Sequence, residues 1–489
     1  MLRTILALGL ALLAGTLALP AGASTAADAP QVITIGGPAT RQAIPPGFLG
    51  LSFEYWAVPE YSGQSPRHVN PVFVQLIRNL AGGSPPDLRI GGVTTDNTWW
   101  PIPGASTPAG VVFGLNPRWI GVIGAVAAKL DARLILGINL EANSPGVAAA
   151  EAGALVAGVG RKRVEALELG NEPELYGVFS WGFSGHPGRP TPWDFATFNR
   201  DFAHISAALP DVPLAGPTVG QPNWFGYTNR FLSHQPRVAV ATLHRYPLQQ
   251  CFLHPRQIKY PSLAHLLAPA ASRGLADSVA DAVRTAHAHH VALRIDEMNT
   301  VSCGDVPAVA QSFASALWSL DALFEMARVG VDGVNIHSFP GATYQLFTFR
   351  RAHGRWRATV EPDYYGLDMF AQAAPAGSRL LSTSPTGSGP LHAWATQAPD
   401  GTRRVVLINE GSSARTVAVR VPAAAATAAL DRLEAPSLTA LGHVTLGGQT
   451  FGAATGMLVG PRHTEAVAAT VNGYVVRVPA ASAAMLTIS

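Results

Sequence analysis

Charged residues are scarce in this 489-residue chain, where Asp, Glu, Lys and Arg together make up 13%. About a quarter is usual for globular proteins. Disordered segments and nucleic-acid-binding surfaces need a high charge density, so the composition argues against both. The formal net charge of +3 is too small to predict a polyanionic partner. With 48% hydrophobic residues, the chain resembles a large globular protein of two or three domains, or of one large domain and a small one.

Cysteine is also scarce, since Cys251 and Cys303 are the 2 in the chain. Two cysteines so far apart make no four-ligand zinc site without help from His or carboxylates. In an exported protein an even pair predicts one disulfide, and two separate buried thiols are the alternative.

Long apolar runs are lacking except near the N-terminus, where Ile5 to Leu19 carries no charge. Arg3 precedes this run and Ala21-Gly22-Ala23 follows it, which is the pattern of a secretory signal peptide cleaved after Ala23. A membrane anchor is the alternative, which the following proline and the cleavage site disfavour. We therefore expect a secreted, periplasmic or cell-surface protein without a membrane segment after cleavage.

Between residues 48 and 340, short apolar runs alternate with longer segments of helical character, which predicts repeated β-α units. Eight such units predict an α/β fold of the (β/α)8 TIM-barrel type. An open doubly wound sheet is the alternative, although no Gly-rich phosphate loop follows the first strand. The predicted strands are Phe48–Trp56, Leu88–Val93, Arg133–Leu140, Val164–Gly170, Val212–Val219, Val238–Tyr246, Ala292–Asn299 and Gly333–Ser338. Predicted helices include Pro71–Leu80, Trp119–Leu130, Trp193–Leu209, Ala276–His289 and Val309–Val329.

Short alternating runs punctuated by Gly, Pro, Asn and Asp dominate from about residue 385, which predicts a C-terminal antiparallel β-sandwich. The segment Gln31–Pro45 also has strand character, and we expect it to pair with this domain. The predicted organisation is a signal peptide over 1–23, an N-terminal segment over 24–47, a catalytic barrel over 48–375 and a β-sandwich domain over 376–489.

The clearest chemical signal is the segment Leu167–Glu174, in which an apolar run ends in Gly-Asn-Glu-Pro. In a barrel, the C-terminal ends of the strands present functional groups to the substrate. Glycoside hydrolysis needs a carboxylic acid at the leaving oxygen and benefits from a group that binds the 2-hydroxyl of the sugar. Glu172 and Asn171 supply these two types, so we predict Glu172 as general acid/base and Asn171 as a substrate ligand.

The second signal is Leu293–Asn299, an apolar run that ends in two carboxylates at the predicted seventh strand. We predict Glu297 as the nucleophile of a retaining hydrolase, which requires carboxyl groups about 5–5.5 Å apart. Asp296 is the competing nucleophile. Neighbours on a strand point to opposite faces, so Asp296 is expected to point away from the barrel mouth.

Further side chains at predicted strand ends are candidates for supporting roles. Arg89 is placed to keep Glu297 ionised. His244 and Tyr246 end the sixth strand, where His244 is expected to line the site and Tyr246 to hydrogen-bond the nucleophile. Glu54 ends the first strand and is a candidate ligand for sugar hydroxyls. For His244 and Tyr246 a structural role is an equally open alternative.

Other aromatic and histidine clusters are less specific. Trp99, Trp100 and Trp181 are candidate sugar-stacking platforms, although ordinary packing is the favoured interpretation. The segment His287–His290 carries three histidines at a predicted helix end, where His interacts favourably with the helix dipole. No acidic ligands are close in sequence, so we predict no metal site. No cofactor motif is found either.

With both glutamate motifs in place, the chain resembles clan A glycoside hydrolases and, within them, glycoside hydrolase family 79, the family of β-glucuronidases and heparanase. The resemblance covers nearly the whole mature chain. The segments that carry it are Phe53-Glu54-Tyr55, Gly170-Asn171-Glu172-Pro173, Asp296-Glu297-Met298-Asn299 and Pro362-Asp363-Tyr364-Tyr365-Gly366. The resemblance implies that Glu54 binds sugar, that Tyr344 lines a glucuronate pocket and that the Gly304 backbone N–H meets the carboxylate.

One departure from the family pattern concerns the sugar. Bacterial glucuronidases of the family carry a Tyr shortly after the nucleophile, and this chain has Ser302 there. On the implied barrel, a Cys251–Cys303 disulfide is expected to stiffen the rim and position Gly304. The leading prediction is an exo-β-glucuronidase with a carbohydrate substrate. The alternatives are an exo-enzyme for a neutral sugar, an endo-enzyme on an acidic polysaccharide and a non-catalytic carbohydrate-binding protein.

Overall fold

A computed structural model describes residues 30–40, 42–304, 306–385, 387–422 and 425–489. The predicted signal peptide lies outside these residues. Within them, no helix is both long and apolar enough to cross a membrane.

The described chain contains strands β1 to β27, helices α1 to α13 and three 3₁₀ turns. The strands are β1 (Gln31–Pro38), β2 (Leu49–Phe53), β3 (Asp87–Ile90), β4 (Thr98–Trp99), β5 (Phe113–Gly114), β6 (Arg133–Ile138), β7 (Val164–Leu169), β8 (Leu214–Val219), β9 (Val238–Arg245), β10 (Leu248–Gln249), β11 (Ala292–Met298), β12 (Val301–Ser302), β13 (Gly333–His337), β14 (Phe347–Ala352), β15 (Arg355–Val360), β16 (Arg379–Ser384), β17 (Gly387–Ser388), β18 (Leu391–Gln397), β19 (Arg403–Asn409), β20 (Arg415–Arg420), β21 (Thr427–Glu434), β22 (Thr445–Leu446), β23 (Thr450–Phe451), β24 (Leu458–Val459), β25 (Glu465–Ala468), β26 (Tyr474–Val478) and β27 (Ser482–Ile488). The helices are α1 (Ala57–Ser62), α2 (Pro71–Leu80), α3 (Pro117–Leu130), α4 (Pro145–Val159), α5 (Phe195–Ser206), α6 (Pro222–Phe225), α7 (Thr228–His234), α8 (Leu263–Leu266), α9 (Arg273–Asp277), α10 (Ala280–Ala288), α11 (Pro307–Ala310), α12 (Phe313–Arg328) and α13 (Pro362–Ala373). The 3₁₀ turns are Val93–Thr95, Arg161–Arg163 and Pro173–Leu175.

Eight parallel strands close into a barrel in the order β2-β3-β6-β7-β8-β9-β11-β13. Pairing of β13 with β2, with Val334 opposite Leu49, closes the ring. Strands such as β8 are buried at every position, because the barrel interior covers one face and the helices cover the other. Each barrel strand overlaps one of the strands predicted from the sequence, and the predicted (β/α)8 fold class is confirmed.

Side-chain caps fix where several barrel helices begin. Asn70 accepts hydrogen bonds from the first-turn amides of α2, and Pro71 occupies the first helical position. The helix predicted over Trp193–Leu209 begins later, at Phe195, because the Asp194 side chain accepts from the backbone N–H of Thr197. The helix predicted over Val309–Val329 is divided into α11 and α12, because Ser312 between them is extended, with φ −79° and ψ 161°.

The C-terminal domain is a single 11-stranded sheet in the hydrogen-bonded order β22-β21-β27-β19-β18-β16-β1-β20-β26, with β17 and β25 attached at the side. Its core combines buried residues from distant parts of this order, such as Leu430 on β21 and Val476 on β26, so the sheet folds over on itself. The N-terminal strand β1 pairs antiparallel with β16 and parallel with β20. The predicted C-terminal β-domain is therefore present, but its strands form one mixed sheet instead of a purely antiparallel one.

Helix α12 joins the barrel to the β-domain. Asp321 on this helix accepts a hydrogen bond of 2.7 Å from Trp394 Nε1 and lies 3.1 Å from His392 Nδ1, both on β18. Phe324 stacks on Trp394 with ring centroids 5.4 Å apart. This interface lies away from the C-terminal ends of the barrel strands and holds the two domains together.

Candidate active site

Glu172 and Glu297 lie together at the C-terminal end of the barrel. Glu172 follows β7, the fourth barrel strand, and Glu297 lies in β11, the seventh. A carboxylate oxygen of each and a ring nitrogen of His244 lie within 4.8 Å of one another. The two predicted catalytic carboxylates therefore flank one gap of the size of a glycosidic bond.

The turn after β7 places Glu172 through an unusual backbone conformation. Glu172 is left-handed, with φ 46° and ψ 55°, and its backbone N–H donates a 3.0 Å hydrogen bond to the carbonyl of Thr218 on β8. The following Pro173 disfavours the right-handed helical region for Glu172, which contributes to this conformation. The side chain is 27% exposed, and its Oε1 lies 3.2 Å from His244 Nδ1. The Glu172 side chain is thus accessible to a ligand while the Glu172 backbone is held in place. Proton transfer to a ligand requires a carboxyl group that is both within reach and well positioned.

Glu297 is held by two donors. Arg89 Nη1 donates to its Oε2 at 2.6 Å, and the Tyr246 hydroxyl donates to its Oε1 at 2.9 Å. Burial alone would raise the pKa of Glu297, but the charges of His337, His244 and Arg89 outweigh it and lower the pKa well below its usual range. Glu297 is therefore ionised and oriented, which are the properties of a nucleophile.

Arg89 lies at the centre of the site, contacts several of its side chains and is fully buried. Besides Glu297, its guanidinium binds Glu168 Oε2 at 2.6 Å and Asn171 Oδ1 at 2.8 Å, and its Nε lies 3.2 Å from Asp296 Oδ2. One planar group thus connects the strand of the predicted nucleophile with the strand of the predicted acid/base. Only a forked donor set such as that of Arg makes these contacts at once.

Beneath Glu297, Glu168 and Asp296 form a second carboxyl pair that is fully buried. Burial raises the pKa of Glu168 well above its usual range and the nearby Asp296 carboxylate adds to this, which favours the protonated form of Glu168. Burial alone would also raise the pKa of Asp296, but Arg89, Glu168 and His244 together lower it below its usual value. Asp296, the competing nucleophile considered from the sequence, thus lies below the mouth, bound by these partners.

His244 connects the two catalytic candidates. Its Nε2 lies 2.9 Å from Thr218 Oγ1, and its Nδ1 lies 3.2 Å from Glu172 and 3.8 Å from Glu297. Burial alone would lower the pKa of His244, but the carboxylates of Glu297 and Asp296 raise it well above its usual value. The resulting imidazolium contributes to keeping Glu297 ionised.

Glu54 is placed differently from the expected free sugar ligand. Both of its oxygens accept backbone hydrogen bonds, from Val93 N at 3.1 Å and Thr94 N at 2.9 Å, and the Thr94 hydroxyl also donates to it. His337 Nε2 lies 3.4 Å from its Oε1. Glu54 thus fixes the 3₁₀ turn after β3 at the edge of the site, and direct contact with sugar stays a prediction.

Tyr344 lies beside Tyr246, with ring centroids 5.9 Å apart. Burial raises the pKa of Tyr344 well above its usual value, and the charge of Glu297 adds to this, so its hydroxyl stays protonated. The backbone carbonyl of Tyr344 accepts a hydrogen bond of 3.2 Å from the Asn299 amide at the end of β11. The loop after the eighth barrel strand is thereby tied to the nucleophile strand.

Sequence analysis missed Asp96 and Thr218. Asp96 is buried and accepts from the backbone N–H of Asn171 at 2.8 Å and from the Tyr176 hydroxyl at 2.7 Å. It therefore holds the acid/base turn in place. Thr218 positions His244 and, through its carbonyl, Glu172. The location of Thr218 at the end of β8 was a signal that could have indicated a role in the site. Nothing in the sequence near Asp96 indicated its partner Asn171, which lies 75 residues away.

The two cysteines of the predicted disulfide lie side by side. The sulfurs of Cys251 and Cys303 lie 2.8 Å apart, and no disulfide joins them in the structure. Burial raises the pKa of the Cys251 thiol to about 11, and the hydrogen bond to Cys303 adds to this. The structure does bring the two loops together, so pairing on export stays a prediction.

Gly304 and Ser302, on either side of Cys303, are the positions that the family resemblance relates to sugar recognition. Gly304 has φ 137°, a backbone conformation that residues with a Cβ rarely adopt, which favours glycine at this position. Ser302, in the place of the expected Tyr, is half-buried in the two-stranded β10-β12 sheet opposite Gln249. Its hydroxyl oxygen is buried and has no hydrogen-bond partner among the described residues.

Most of the remaining aromatic and histidine candidates are buried or bonded to other residues of the protein. Trp99 is buried, and so is Trp181, which donates its Nε1–H to the Asp96 carbonyl. Neither is available as a stacking platform, while Trp100 is half-buried. His287 Nε2 lies 2.8 Å from Asp332 Oδ2 on the outside of the barrel, remote from the carboxylate pair.

Known proteins resemble this chain in both sequence and fold. Residues 393–485 match the sequence model of the Glycosyl hydrolase family 79 C-terminal beta domain. The chain is 22% identical over 419 residues to a β-glucuronidase of Aspergillus niger, covering 74% of this chain and 71% of that protein. The resemblance to family 79 drawn from the sequence is thus confirmed, and the chain is a glycoside hydrolase homologue.

Solved structures share the whole architecture. A 4-O-α-L-rhamnosyl-β-D-glucuronidase from Fusarium oxysporum 12S superposes with a TM-score of 0.73 at 19% identity, covering 93% of this chain and 100% of that one. A GH51 arabinofuranosidase from Xanthomonas axonopodis pv. citri superposes with a TM-score of 0.62 at 18% identity, covering 94% and 99%. At these identities the likeness establishes the fold, a barrel followed by a β-domain.

Proposed function

We propose that this protein is a secreted, retaining exo-β-glycosidase that releases a terminal β-linked uronic acid. One observation carries the mechanistic part of the proposal. Carboxylate oxygens of Glu172 and Glu297 lie within 4.8 Å of each other at the barrel mouth. Retaining glycosidases hold their carboxyl groups about 5–5.5 Å apart, whereas inverting ones need about 6.5–9.5 Å to admit a water.

In the proposed first step, the Glu297 carboxylate attacks the anomeric carbon while Glu172 donates its proton to the leaving oxygen. In the second step, Glu172 removes a proton from water, and the water displaces Glu297 from the sugar with overall retention. Arg89 and Tyr246 hold Glu297 ready for attack through one donor on each oxygen. Asn171, anchored by Arg89, is placed to meet the sugar 2-hydroxyl.

Uronate specificity is supported by the character of the relatives, since both the A. niger and the F. oxysporum proteins are glucuronidases by name. A neutral-sugar exo-glycosidase is the second candidate. It is favoured by Ser302, whose short side chain stands where the resemblance leads us to expect a carboxylate-binding Tyr. The two candidates differ only in the group at the sugar C5, and they share the same catalytic pair.

Hydrolysis of the 4-nitrophenyl β-glucuronide, β-glucoside and β-xyloside by one enzyme preparation tests the proposal. We expect the glucuronide to give the highest kcat/KM. A higher kcat/KM for either neutral sugar would replace the uronate assignment by the second candidate, and no turnover of any of the three would contradict both.

The isosteric variant Glu297→Gln isolates the contribution of the nucleophile. We expect it to lose activity on every substrate while staying folded at the assay temperature, although the loss of a charge beside Arg89 should lower its unfolding temperature. Glu60→Gln is the matched control, because it makes the same chemical change at an exposed residue of α1. Activity of Glu297→Gln equal to that of this control would remove Glu297 from the mechanism.

Secretion is the remaining part of the proposal and rests on the sequence of residues 1–23. Expression of the full chain in a secreting host, followed by mass measurement of the exported protein, tests it. We expect a mature N-terminus at Ser24, and a cell-retained protein that keeps residues 1–23 would contradict it.

A further inference from the structure

Arg245 is a buried cation without a partner. Four arginines of the described residues are buried, namely Arg89, Arg189, Arg245 and Arg294. Arg89, Arg189 and Arg294 each bind a carboxylate. Arg245 is 6% exposed, yet among the described residues it forms no ion pair and donates no hydrogen bond, and its Nε is buried without an acceptor.

Among the residues that the structure describes, no acidic side chain pairs with Arg245, and an aromatic ring lies beside it. Its guanidinium carbon lies 5.5 Å from the ring centroid of Phe225 on α6. Burial lowers the pKa of Arg245 to about 10, and no neighbouring acid opposes this effect. A buried charge is costly unless it is paired, so this position is suited to an anion that the chain itself does not supply.

A second cation, Lys259, belongs to the loop that follows Arg245. The loop after β9 returns so that the Lys259 carbonyl accepts a 2.9 Å hydrogen bond from Gln249 N, which brings Lys259 close to Arg245. Burial lowers the pKa of Lys259, and the like charge of Arg245 lowers it further. Lys259 is half-buried, with its ammonium 5.7 Å from the ring centroid of Phe252. The backbone of Lys259 is therefore bonded to the chain four residues after Arg245, and neither cation forms an ion pair with a carboxylate of the described residues.

The position relative to the catalytic pair follows from the strand. His244 and Tyr246 point into the barrel mouth, where they contact Glu172 and Glu297. Side chains alternate along a strand, so Arg245 between them points to the outer face. The Lys259 carbonyl is bonded to Gln249, which lies opposite Ser302 in the β10-β12 pair at the rim. The pair thus lies behind the catalytic strand, on the substrate side of the barrel, and outside the space of the sugar being cleaved.

We propose that Arg245 and Lys259 form an oxyanion-binding site, which takes a carboxylate or sulfate group carried by an acidic glycan or present as a free ion. Arg offers a planar fork for such a group, and Lys adds a point charge at the solvent side. As a site for acidic glycans it rests on the proposed function, whereas as a site for free oxyanions it does not.

Thermal unfolding in the presence of sodium sulfate tests the site, with ionic strength held constant by sodium chloride. We expect the wild-type Tm to rise with sulfate concentration, because a ligand that binds only the folded state stabilises it. Arg245→Met keeps the packing against Phe225 and removes the charge. It should raise Tm without sulfate, because it removes an unpaired buried charge, and it should abolish the sulfate response.

Two further variants keep the test decisive. Lys259→Met should weaken the apparent sulfate affinity by roughly tenfold or more, the loss of one charge-assisted contact. Lys162→Met removes the same charge from an exposed residue at the opposite end of the barrel and should respond like the wild type. Equal sulfate responses of the wild type, Arg245→Met and Lys259→Met would overturn the proposal, as would the absence of any response in the wild type.

Replacing sulfate by sodium glucuronate, with glucose as the neutral reference, distinguishes the sources of the anion. A glucuronate response that Arg245→Met reduces assigns the site to sugar carboxylates, and a response to sulfate alone assigns it to sulfate groups. The unfolding readout needs no turnover. An inactive protein that still binds the anion would therefore refute the proposed function only, and an active protein without the response would refute this inference only.

Discussion

Replacing Tyr246 by Phe removes one hydrogen bond to the nucleophile and leaves the ring in place. The Tyr246 hydroxyl is the donor to Glu297 Oε1, at 2.9 Å, while Arg89 holds Oε2. Without the hydroxyl, one oxygen of the carboxylate loses its donor and the carboxylate can turn about its last torsion. We therefore expect a lower rate of attack on the anomeric carbon.

The size of this effect follows from the type of bond. A hydrogen bond to a charged group contributes about 1.5–3 kcal/mol. Each ~1.4 kcal/mol of lost transition-state stabilisation is a factor of about ten in rate. Tyr246→Phe should therefore lower kcat by about 10- to 150-fold.

The pH profile separates orientation from ionisation. The pKa of Glu297 is held low by His337, His244 and Arg89, which overcome its burial. The Tyr246 donor contributes less than these charges, so Tyr246→Phe should lower the plateau of the kcat/KM profile far more than it shifts the acidic limb. Initial rates on 4-nitrophenyl β-glucuronide across the acidic pH range measure both.

Tyr365→Phe is the matched control for this experiment. Its hydroxyl accepts a 3.2 Å hydrogen bond from Phe451 N, remote from the catalytic pair. We expect this variant to keep the wild-type kcat. A wild-type kcat in Tyr246→Phe, or a loss no larger than that of the control, would refute the role given to this hydroxyl.

Three more predictions concern the acid/base, the buried carboxyl pair and the domain interface. Glu172→Ala should lose far less activity on 2,4-dinitrophenyl than on alkyl glycosides, because good leaving groups need little protonation, and equal losses would count against the assignment. Glu168→Gln should keep most activity, since an amide can donate to Asp296 and accept from Arg89, as a protonated carboxyl does. Glu168→Leu can do neither and should lower kcat by roughly tenfold or more. Equal kcat values in the two variants would refute the protonated state of Glu168. For His392, burial alone would lower the pKa, but Asp321 raises it from 6.5 to about 9. Its stabilising contribution, about 2 kcal/mol after allowing for partial exposure, is therefore complete below pH 6.5 and lost as the pH rises through 9. Urea unfolding at pH 6 and pH 9.5 should show a difference between the wild type and His392→Gln at the lower pH only, and the same difference at both would contradict this.

The barrel and its catalytic ends could be predicted because their signals are local. An apolar run that ends in Gly-Asn-Glu-Pro specifies a strand, a turn and a carboxylate within a few residues. The same holds for the run that ends at Glu297. Parallel strands place such ends on one face, so Glu172 and Glu297 were expected to meet although they lie far apart in the chain.

The partners of these carboxylates could not be predicted in the same way, since they depend on contacts between distant strands. Glu168 shows this best: from its sequence it is an ordinary position in a buried strand, but in the fold it meets Arg89 and Asp296. For Glu54 the local signal was incomplete. Its position at a strand end indicated contact with a ligand, whereas in the fold its carboxylate accepts hydrogen bonds from the backbone of the 3₁₀ turn after β3. The unpaired state of Arg245 is likewise visible only when every neighbour is known.

The most direct test of the mechanism is to trap the sugar on the enzyme. Incubation with 2,4-dinitrophenyl 2-deoxy-2-fluoro-β-glucuronide, followed by intact-protein and peptide mass measurement, reports whether a covalent intermediate forms and on which residue. The fluorine slows both steps, while the good leaving group lets the first proceed. We predict one added fluoro-sugar per chain, located on Glu297. Release of dinitrophenol without any adduct, or an adduct on Asp296 or Glu172, would contradict the proposed double displacement.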